Sequence, residues 1–217
     1  MSAILHVVSD RQRCKLPIAQ ALLESARGGA DVIQIREKRA PAMETFSLTK
    51  QLQTRCKRMG LETAFIMNDR FDIALAANMD GVHLAAKSLP IDVVAGLRRE
   101  YRWRGRIGCS VHSLEEALVA EQGGADYVTF GHIYASGSHP NLPPRGVMAL
   151  RRIVDRVNIP VIAIGGIDVA NLEAVLDTGC SGIAIIGAIL DTESPGEQSE
   201  KIKRIMETSP SAPKVPF

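Results

Sequence analysis

The feature that most constrains the fold is the alternation of short apolar runs with longer stretches of helical periodicity. Eight runs rich in Val, Ile and Leu recur through the 217 residues, and most lack polar alternation. Such runs are typical of strands that are buried on both faces of a parallel sheet. The predicted strands span residues 4–8, 32–36, 63–67, 81–84, 107–110, 127–130, 160–164 and 182–186. Eight βα units of about 27 residues each predict the α/β class and a single (β/α)8 TIM barrel.

A repeated junction favours a closed barrel over an open sheet. Four predicted strands are preceded by a glycine-containing turn with a short polar residue, and the intervals between these residues are 49, 46 and 55. The four residues are Asp31, Asp80, Asp126 and Ser181. An interval near fifty corresponds to two βα units, and glycine suits the helix end and tight turn that precede each strand. The first strand is also not followed by the G-x-G-x-x-G motif of a dinucleotide-binding sheet.

Composition excludes several other classes of protein. Apolar residues make up 46% of the chain, which excludes wholesale disorder, while 4% aromatic residues and a net charge of +2 give no signal for nucleic acid or membrane partners. The four cysteines form no C-x-x-C pair, so we expect reduced thiols and a cytoplasmic protein. We predict a barrel over residues 1–208 and a flexible, proline-rich tail over residues 209–217.

Two glycine-bearing turns predict a phosphate site. Gly165 and Gly166 follow the seventh predicted strand, and Ile186 and Gly187 follow the eighth. Barrel enzymes often bind phosphate at this place, where backbone N–H groups at the start of a helix face the ligand. The alternative is that both are ordinary turns.

Alternating polar residues end the second predicted strand. Gln34, Arg36 and Lys38 lie two apart, so their side chains share one side of an extended chain. A guanidinium and an ammonium group on one side suit a carboxylate or a phosphate, although a solvated charged loop is the alternative. Asn68 and Asp69 end the third strand, where they could bind substrate or magnesium, or cap the following helix.

The end of the sixth predicted strand carries the candidate catalytic residue. His132 directly follows this strand, where the barrel directs a side chain into the pocket, and imidazole exchanges protons near neutral pH. The segment 131–146 is long, rich in glycine and proline, and could be either a mobile lid or a plain surface excursion. The other histidines are interpreted as structural or solvated: His6, His83, His112 and His139.

Five motifs together resemble the thiamine phosphate synthase superfamily. They are residues 34–38 (QIREK), 68–75 (NDRFDIAL), 80–84 (DGVHL), 108–113 (GCSVHS) and 159–167 (IPVIAIGGI). The resemblance covers essentially the whole chain. It implies an enzyme that joins a hydroxymethylpyrimidine diphosphate to a thiazole phosphate with magnesium held by aspartates, and it implies a homodimer.

Departures from the synthase pattern point to one branch of this superfamily. Ser88 stands where the synthases carry a magnesium-binding aspartate, Lys87 adds a positive charge, and His139 replaces a lysine that grips the diphosphate. Residues 110–117 and His132 are instead similar to the TenI branch, the thiazole tautomerases. That resemblance implies aromatisation of a carboxythiazole phosphate by proton transfer, without a metal or cofactor.

The main expectation is therefore a thiazole tautomerase that acts on a small phosphorylated thiazole. In this interpretation His132 takes and returns the proton, and Arg36 or Lys38 neutralises the substrate carboxylate. The remaining substrate-binding candidates are Asn68, Ser110 and Ser136. Two alternatives stay open: a magnesium-dependent thiamine phosphate synthase, and a non-catalytic barrel that binds a phosphorylated ligand and regulates a partner.

Overall fold

Eight parallel strands close into a barrel in the computed structural model, which describes residues 2–137 and 142–217. Each strand pairs with its neighbours in chain order, and the last pairs with the first. This confirms the predicted (β/α)8 TIM barrel. The strands are β1 Ile4–Val8, β2 Val32–Ile35, β3 Ala64–Asn68, β4 Gly81–Leu84, β5 Arg106–Val111, β6 Tyr127–Gly131, β7 Val161–Ile164 and β8 Gly182–Ile185.

Helices follow the strands and form the outer layer. They are α1 Ile18–Arg27, α2 Ala42–Arg58, α3 Phe71–Ala76, α4 Ile91–Glu100, α5 Leu114–Gln122, α6 Gly146–Arg156, α7 Leu172–Leu176, α8 Gly187–Leu190 and α9 Pro195–Thr208. The last helix packs against α1, where the carbonyl of Gly196 approaches Gly28 so closely that a Cβ atom there would lie 2.2 Å from the oxygen. Among the described residues, no helix is long and apolar enough to cross a membrane.

Apolar residues form two separate cores. The larger core lies between the strands and the helices, whereas a smaller one fills the inside of the barrel. The interior group consists of Val8, Val32, Ile66, Tyr127, Ile162 and Ala184. Strand residues therefore alternate between two apolar environments, which is why the sequence shows continuous apolar runs.

The repeated polar residues link neighbouring strands. The Asp31 carboxylate accepts a hydrogen bond from the N–H of Leu5 at 2.7 Å, and Asp80 accepts one from Phe65 at the same distance. Asp126 and Ser181 make the corresponding bonds to the strands before them. Each residue precedes an even-numbered strand and binds the start of the odd-numbered one, which explains the interval of two βα units.

The C-terminal segment 209–217 packs at the N-terminal end of the barrel. The hydroxyl of Ser181 donates to the carbonyl of Val215 at 2.6 Å. The ring of Phe217 meets that of Tyr127 edge to face, with 5.2 Å between centroids. The division into a barrel and a flexible tail stays a prediction, but in this structure the tail contacts the interior of the barrel.

Candidate functional site

A cleft of about 1060 Å³ opens at the carboxyl ends of the strands. The structure brings all ten predicted site residues together around it, as expected if strand ends in a barrel share one face. They are Arg36, Lys38, Asn68, Ser110, His132, Ser136, Gly165, Gly166, Ile186 and Gly187. Their roles stay predictions, because the geometry establishes their proximity and not their chemistry.

A second cavity of about 720 Å³ lies at the opposite end of the barrel. It is lined by the segment 101–106, which includes three arginines, and by Phe217. Because the strands begin rather than end there, this cavity contains none of the predicted site residues. The cleft is therefore the candidate active site.

Three cations converge on one side of the cleft. The pKa of the Arg36 guanidinium is lowered by burial, an effect that the nearby Asp10 and Glu37 partly oppose. The pKa of Lys38 is lowered first by the charge of Arg36 and then by burial, with a smaller contribution from Lys87. The lowered pKa of Lys38 reflects repulsion between neighbouring positive charges. An anion bound between these groups would therefore be strongly attracted.

Asn68 is held by its neighbour in the sheet. The side-chain amide of Gln34, inside the barrel, donates to the Asn68 side-chain oxygen at 2.9 Å. The alternative role of Asn68 and Asp69 as a helix cap is not observed, since α3 begins without a side-chain cap bond. Asp69 adopts a φ of +69° and lines the cleft.

Ser110 ends a buried hydrogen-bonded chain that reaches the cleft. Its hydroxyl oxygen lies 2.9 Å from Nε2 of His83, and Nδ1 of the same ring lies 3.1 Å from the Tyr127 hydroxyl. His83 is 3% exposed, and burial lowers its pKa to about 4. The sequence analysis interpreted His83 as a structural residue and did not predict its contact with Ser110, which lines the cleft.

His132 lines the cleft but its imidazole is engaged by the following loop. Its Nε2 lies 3.1 Å from the carbonyl oxygen of Leu142, so that this nitrogen carries the proton and donates. The backbone N–H of Arg145 in turn donates to the His132 carbonyl at 2.9 Å. The predicted lid lies only partly within the described residues, and His139 lies outside them.

The two predicted phosphate turns depend on their glycines. Gly165 has a φ of +101°, and a Cβ atom there would lie 2.3 Å from the Cβ of His132. Gly166 has a φ of +66°, and its Cβ would lie 2.4 Å from the Ala135 carbonyl oxygen. At both positions the positive φ disfavours a residue with a side chain, and neighbouring atoms leave no space for one. The turn after β7 therefore packs directly against the loop after β6.

Arg13, in the loop after β1, is a cleft residue that was not predicted from the sequence. Its guanidinium pairs with Asp191 through two contacts of 3.0 and 2.5 Å and lies over Gly187, whose missing Cβ would be 2.6 Å from the guanidinium. In a barrel, the loops after the strands carry functional residues. Because Arg13 lies in the loop after β1, this rule could have identified it from the sequence.

The residues at the cleft do not fit a magnesium ion held by several carboxylates. Asp69 is present, but the hydroxyl of Ser88 accepts a hydrogen bond from the N–H of Ala85 at 2.8 Å within its own loop. Within residues 2–137 and 142–217, no group of three or more His, Cys, Asp or Glu side chains could hold a metal ion. A magnesium ion here would therefore take most of its oxygen ligands from water and from substrate phosphates, and few from protein carboxylates.

A closed parallel barrel with a cationic cleft at the carboxyl ends of its strands defines a (β/α)8-barrel enzyme. Residues 5–189 match the family model described as thiamine monophosphate synthase. The chain is 40% identical to "Thiamine-phosphate synthase" of Pyrococcus horikoshii, over 94% of both chains. It is 41% identical to the protein of that name from Chlorobium luteolum, over 96% of this chain and 95% of the relative. The chain belongs to the thiamine monophosphate synthase family.

Solved structures agree with this assignment. The structure titled thiamine phosphate pyrophosphorylase from Pyrococcus furiosus superposes with a TM-score of 0.86 at 37% identity, over 96% of this chain and 97% of that one. A 3-hexulose-6-phosphate synthase superposes with a TM-score of 0.71 at 17% identity, which shows the fold alone.

The expectation of a thiazole tautomerase, and with it the isomerase class, is wrong. Relatives that are about 40% identical over nearly the whole chain carry the name thiamine-phosphate synthase instead. The prediction gave most weight to the loop positions Ser88, His132 and His139, together with a likeness over residues 110–117. Loops vary more among homologues than the elements they connect, so three loop residues were weak grounds for choosing a branch.

Proposed function

We propose that this protein is a thiamine-phosphate synthase. In this reaction the thiazole nitrogen forms a bond to the methylene carbon of hydroxymethylpyrimidine diphosphate, the carbon–oxygen bond breaks, and diphosphate leaves. The observation that carries the proposal is the 40% identity to a synthase over 94% of both chains. The arrangement of charge in the cleft supports it independently.

The cations after β2 and β4 suit the diphosphate. Arg36, Lys38 and Lys87 supply three positive charges on one side of the cleft, and Asp10, 3.6 Å from Arg36, offsets them only in part. The remaining positive charge suits a group that carries two or three negative charges. An ion pair at about 4 Å is worth about 4 kcal/mol at the effective dielectric of a protein surface. Because charge accumulates on the diphosphate as its bond to carbon breaks, these cations stabilise the transition state more than the ground state.

The turns after β7 and β8 suit the single phosphate of the thiazole. Gly165 and Gly166 place bare backbone at the cleft, and Ile186 precedes the short helix α8, which begins at Gly187. Arg13 lies beside this turn and is offset by its partner Asp191, whereas on the opposite side Asp10 offsets one of three cations. The more highly charged substrate therefore binds at β2 and β4, and the thiazole phosphate at β7 and β8.

Between these two ends, polar side chains orient the reacting groups. Asn68 ends β3 and Ser110 lies in β5, both lining the cleft, and Ser136 lies in the loop after β6. His132 stays a predicted site residue; its contact with the Leu142 carbonyl suits it to hold the loop over the cleft. The homodimer and the cytoplasmic location also stay predictions.

Product formation tests the proposal directly. Purified protein is incubated with hydroxymethylpyrimidine diphosphate, thiazole phosphate and magnesium, and thiamine phosphate and released diphosphate are quantified together by mass spectrometry. We expect both products in equal amounts. Folded protein that forms neither product would contradict the proposal.

A matched pair of lysine variants tests the assigned cation. Lys38→Met removes a charge from the cleft, whereas Lys50→Met removes one from the exposed surface of α2. Loss of a charge-assisted hydrogen bond of about 1.5–3 kcal/mol lowers kcat/KM about 10- to 100-fold for Lys38→Met. Lys50→Met should retain the parental value; an equal loss in both variants would remove Lys38 from the site.

A further inference from the structure

A column of polar side chains crosses the interior of the barrel below the cleft. Tyr127, His83 and Ser110 form a continuous chain through contacts of 3.1 and 2.9 Å. Tyr127 is fully buried, His83 is nearly so, and Ser110 lines the cleft. The chain thus links a group deep in the apolar interior to a hydroxyl that can touch a ligand.

Both buried groups are neutral near physiological pH. Burial lowers the pKa of His83 to about 4 and raises the pKa of the Tyr127 phenol well above its usual value. A neutral imidazole carries one proton, so one of its nitrogens donates and the other accepts. The direction of the hydrogen-bonded chain, meaning which group donates at each contact, therefore depends on which nitrogen of His83 carries the proton.

The Tyr127 hydroxyl determines which nitrogen of His83 carries the proton. Among the described residues, Nδ1 of His83 is the hydrogen-bond partner of this hydroxyl. If Nδ1 carried the proton, the buried phenolic O–H would lack an acceptor, which costs about 1–3 kcal/mol. The stable arrangement has Tyr127 donating to Nδ1, His83 protonated on Nε2, and Nε2–H donating to the oxygen of Ser110.

We propose that Tyr127 is a positioning residue that, through His83, forces the Ser110 hydroxyl to donate its proton into the cleft. Ser110 already accepts from His83, so its own O–H is directed towards the ligand. The ligand atom at this place is a hydrogen-bond acceptor, such as a diphosphate oxygen. This identification of the ligand rests on the proposed function, whereas the direction of the chain does not.

Packing holds the tyrosine ring in place. A Cβ atom at Gly108 would lie 2.0 Å from the Tyr127 ring, so the absence of a side chain in β5 creates the space that the ring occupies. The ring of Phe217 contacts its edge from the N-terminal end of the barrel. Tyr127→Phe therefore removes the hydroxyl and keeps the ring.

Nitrogen NMR of histidine-labelled protein tests the direction without any turnover. In the parental protein we expect His83, assigned by comparison with His83→Asn, to carry its proton on Nε2. In Tyr127→Phe the Nδ1-protonated form should become populated. A parental His83 that is protonated on Nδ1, or an unchanged tautomer in Tyr127→Phe, would overturn the proposal.

Binding of inorganic pyrophosphate, measured by calorimetry, tests the consequence in the cleft. Tyr127→Phe should weaken binding about 3- to 10-fold, as expected for one misdirected hydrogen bond. In a Ser110→Ala background the same change should have less than a twofold effect, and the exposed Tyr101→Phe should have none. Equal effects of Tyr127→Phe in both backgrounds would assign it a merely structural role. A parental protein that has no synthase activity but shows the expected His83 tautomer would refute the proposed function and leave this inference standing.

Discussion

Ser181 offers a sharp test of how the tail and the sheet are joined. Its hydroxyl accepts a hydrogen bond from the buried N–H of Val161 at 2.9 Å and donates one to the carbonyl of Val215 at 2.6 Å. Ser181→Ala leaves the Val161 N–H unsatisfied, at about 1–3 kcal/mol, and removes the bond to the tail, at about 0.5–1.5 kcal/mol. The expected loss is about 2–4 kcal/mol in the free energy of unfolding.

Chemical and thermal denaturation measure this loss. For a chain of this length 1 kcal/mol corresponds to about 2–4 °C, so Tm should fall by about 5–15 °C. Ser47→Ala, at an exposed position in α2, is the matched control and should change stability by less than about 0.5 kcal/mol. Truncation after Lys214 removes the Val215 carbonyl, so Ser181→Ala should cost less in the truncated chain. Equal destabilisation by the two serine substitutions would refute the reasoning.

Two further predictions concern the cleft and acid stability. Gly165→Ala should lower both kcat/KM and Tm, because φ is +101° and the new Cβ would collide with His132. A thermal melt and an activity assay measure the two effects, and a variant that matches the parental protein in both would contradict this geometry. Burial lowers the pKa of His6 to about 3 and that of His83 to about 4, below the 6.5 of an unfolded histidine, so the unfolded chain binds more protons. Stability should therefore fall below about pH 6.5, by up to about 1.4 kcal/mol per pH unit for each histidine, as urea denaturation between pH 7 and 4.5 would show. His83→Asn should flatten this dependence, and an unchanged slope would assign the acid sensitivity to other groups.

The barrel was predictable from the sequence because its burial pattern is simple. Strands that face two apolar cores appear as continuous apolar runs, so all eight strands could be counted from the order of the residues. The repeated residues Asp31, Asp80, Asp126 and Ser181 were also recognised, but only as markers of turns. Their hydrogen bonds to the preceding strands depend on which strands are neighbours, which the local sequence does not specify.

The cleft was predictable for a related reason, since barrel topology alone gathers the strand ends. What the sequence could not supply were contacts between distant residues. Nothing near Arg13 indicates that it pairs with Asp191, 178 positions away. Nothing near His83 indicates that it lies between Tyr127 and Ser110. Such pairs arise only when the barrel closes.

The sequence analysis chose the tautomerase over the synthase, and the charges of the cleft show why that choice was wrong. Ser88 and His132 suggested chemistry without a metal, yet the single carboxylate of a carboxythiazole phosphate does not account for three cations at Arg36, Lys38 and Lys87. A diphosphate leaving group does, because the charges that lower the pKa of Lys38 in the free enzyme are neutralised when the substrate binds. Binding of a diphosphate should therefore raise the pKa of Lys38. Thiazole phosphate, bound at the turns after β7 and β8, should raise that pKa less than diphosphate does. Titration of Lys38 in the two complexes therefore tests the assignment of the diphosphate to Arg36, Lys38 and Lys87, and an equal rise in both complexes would contradict it.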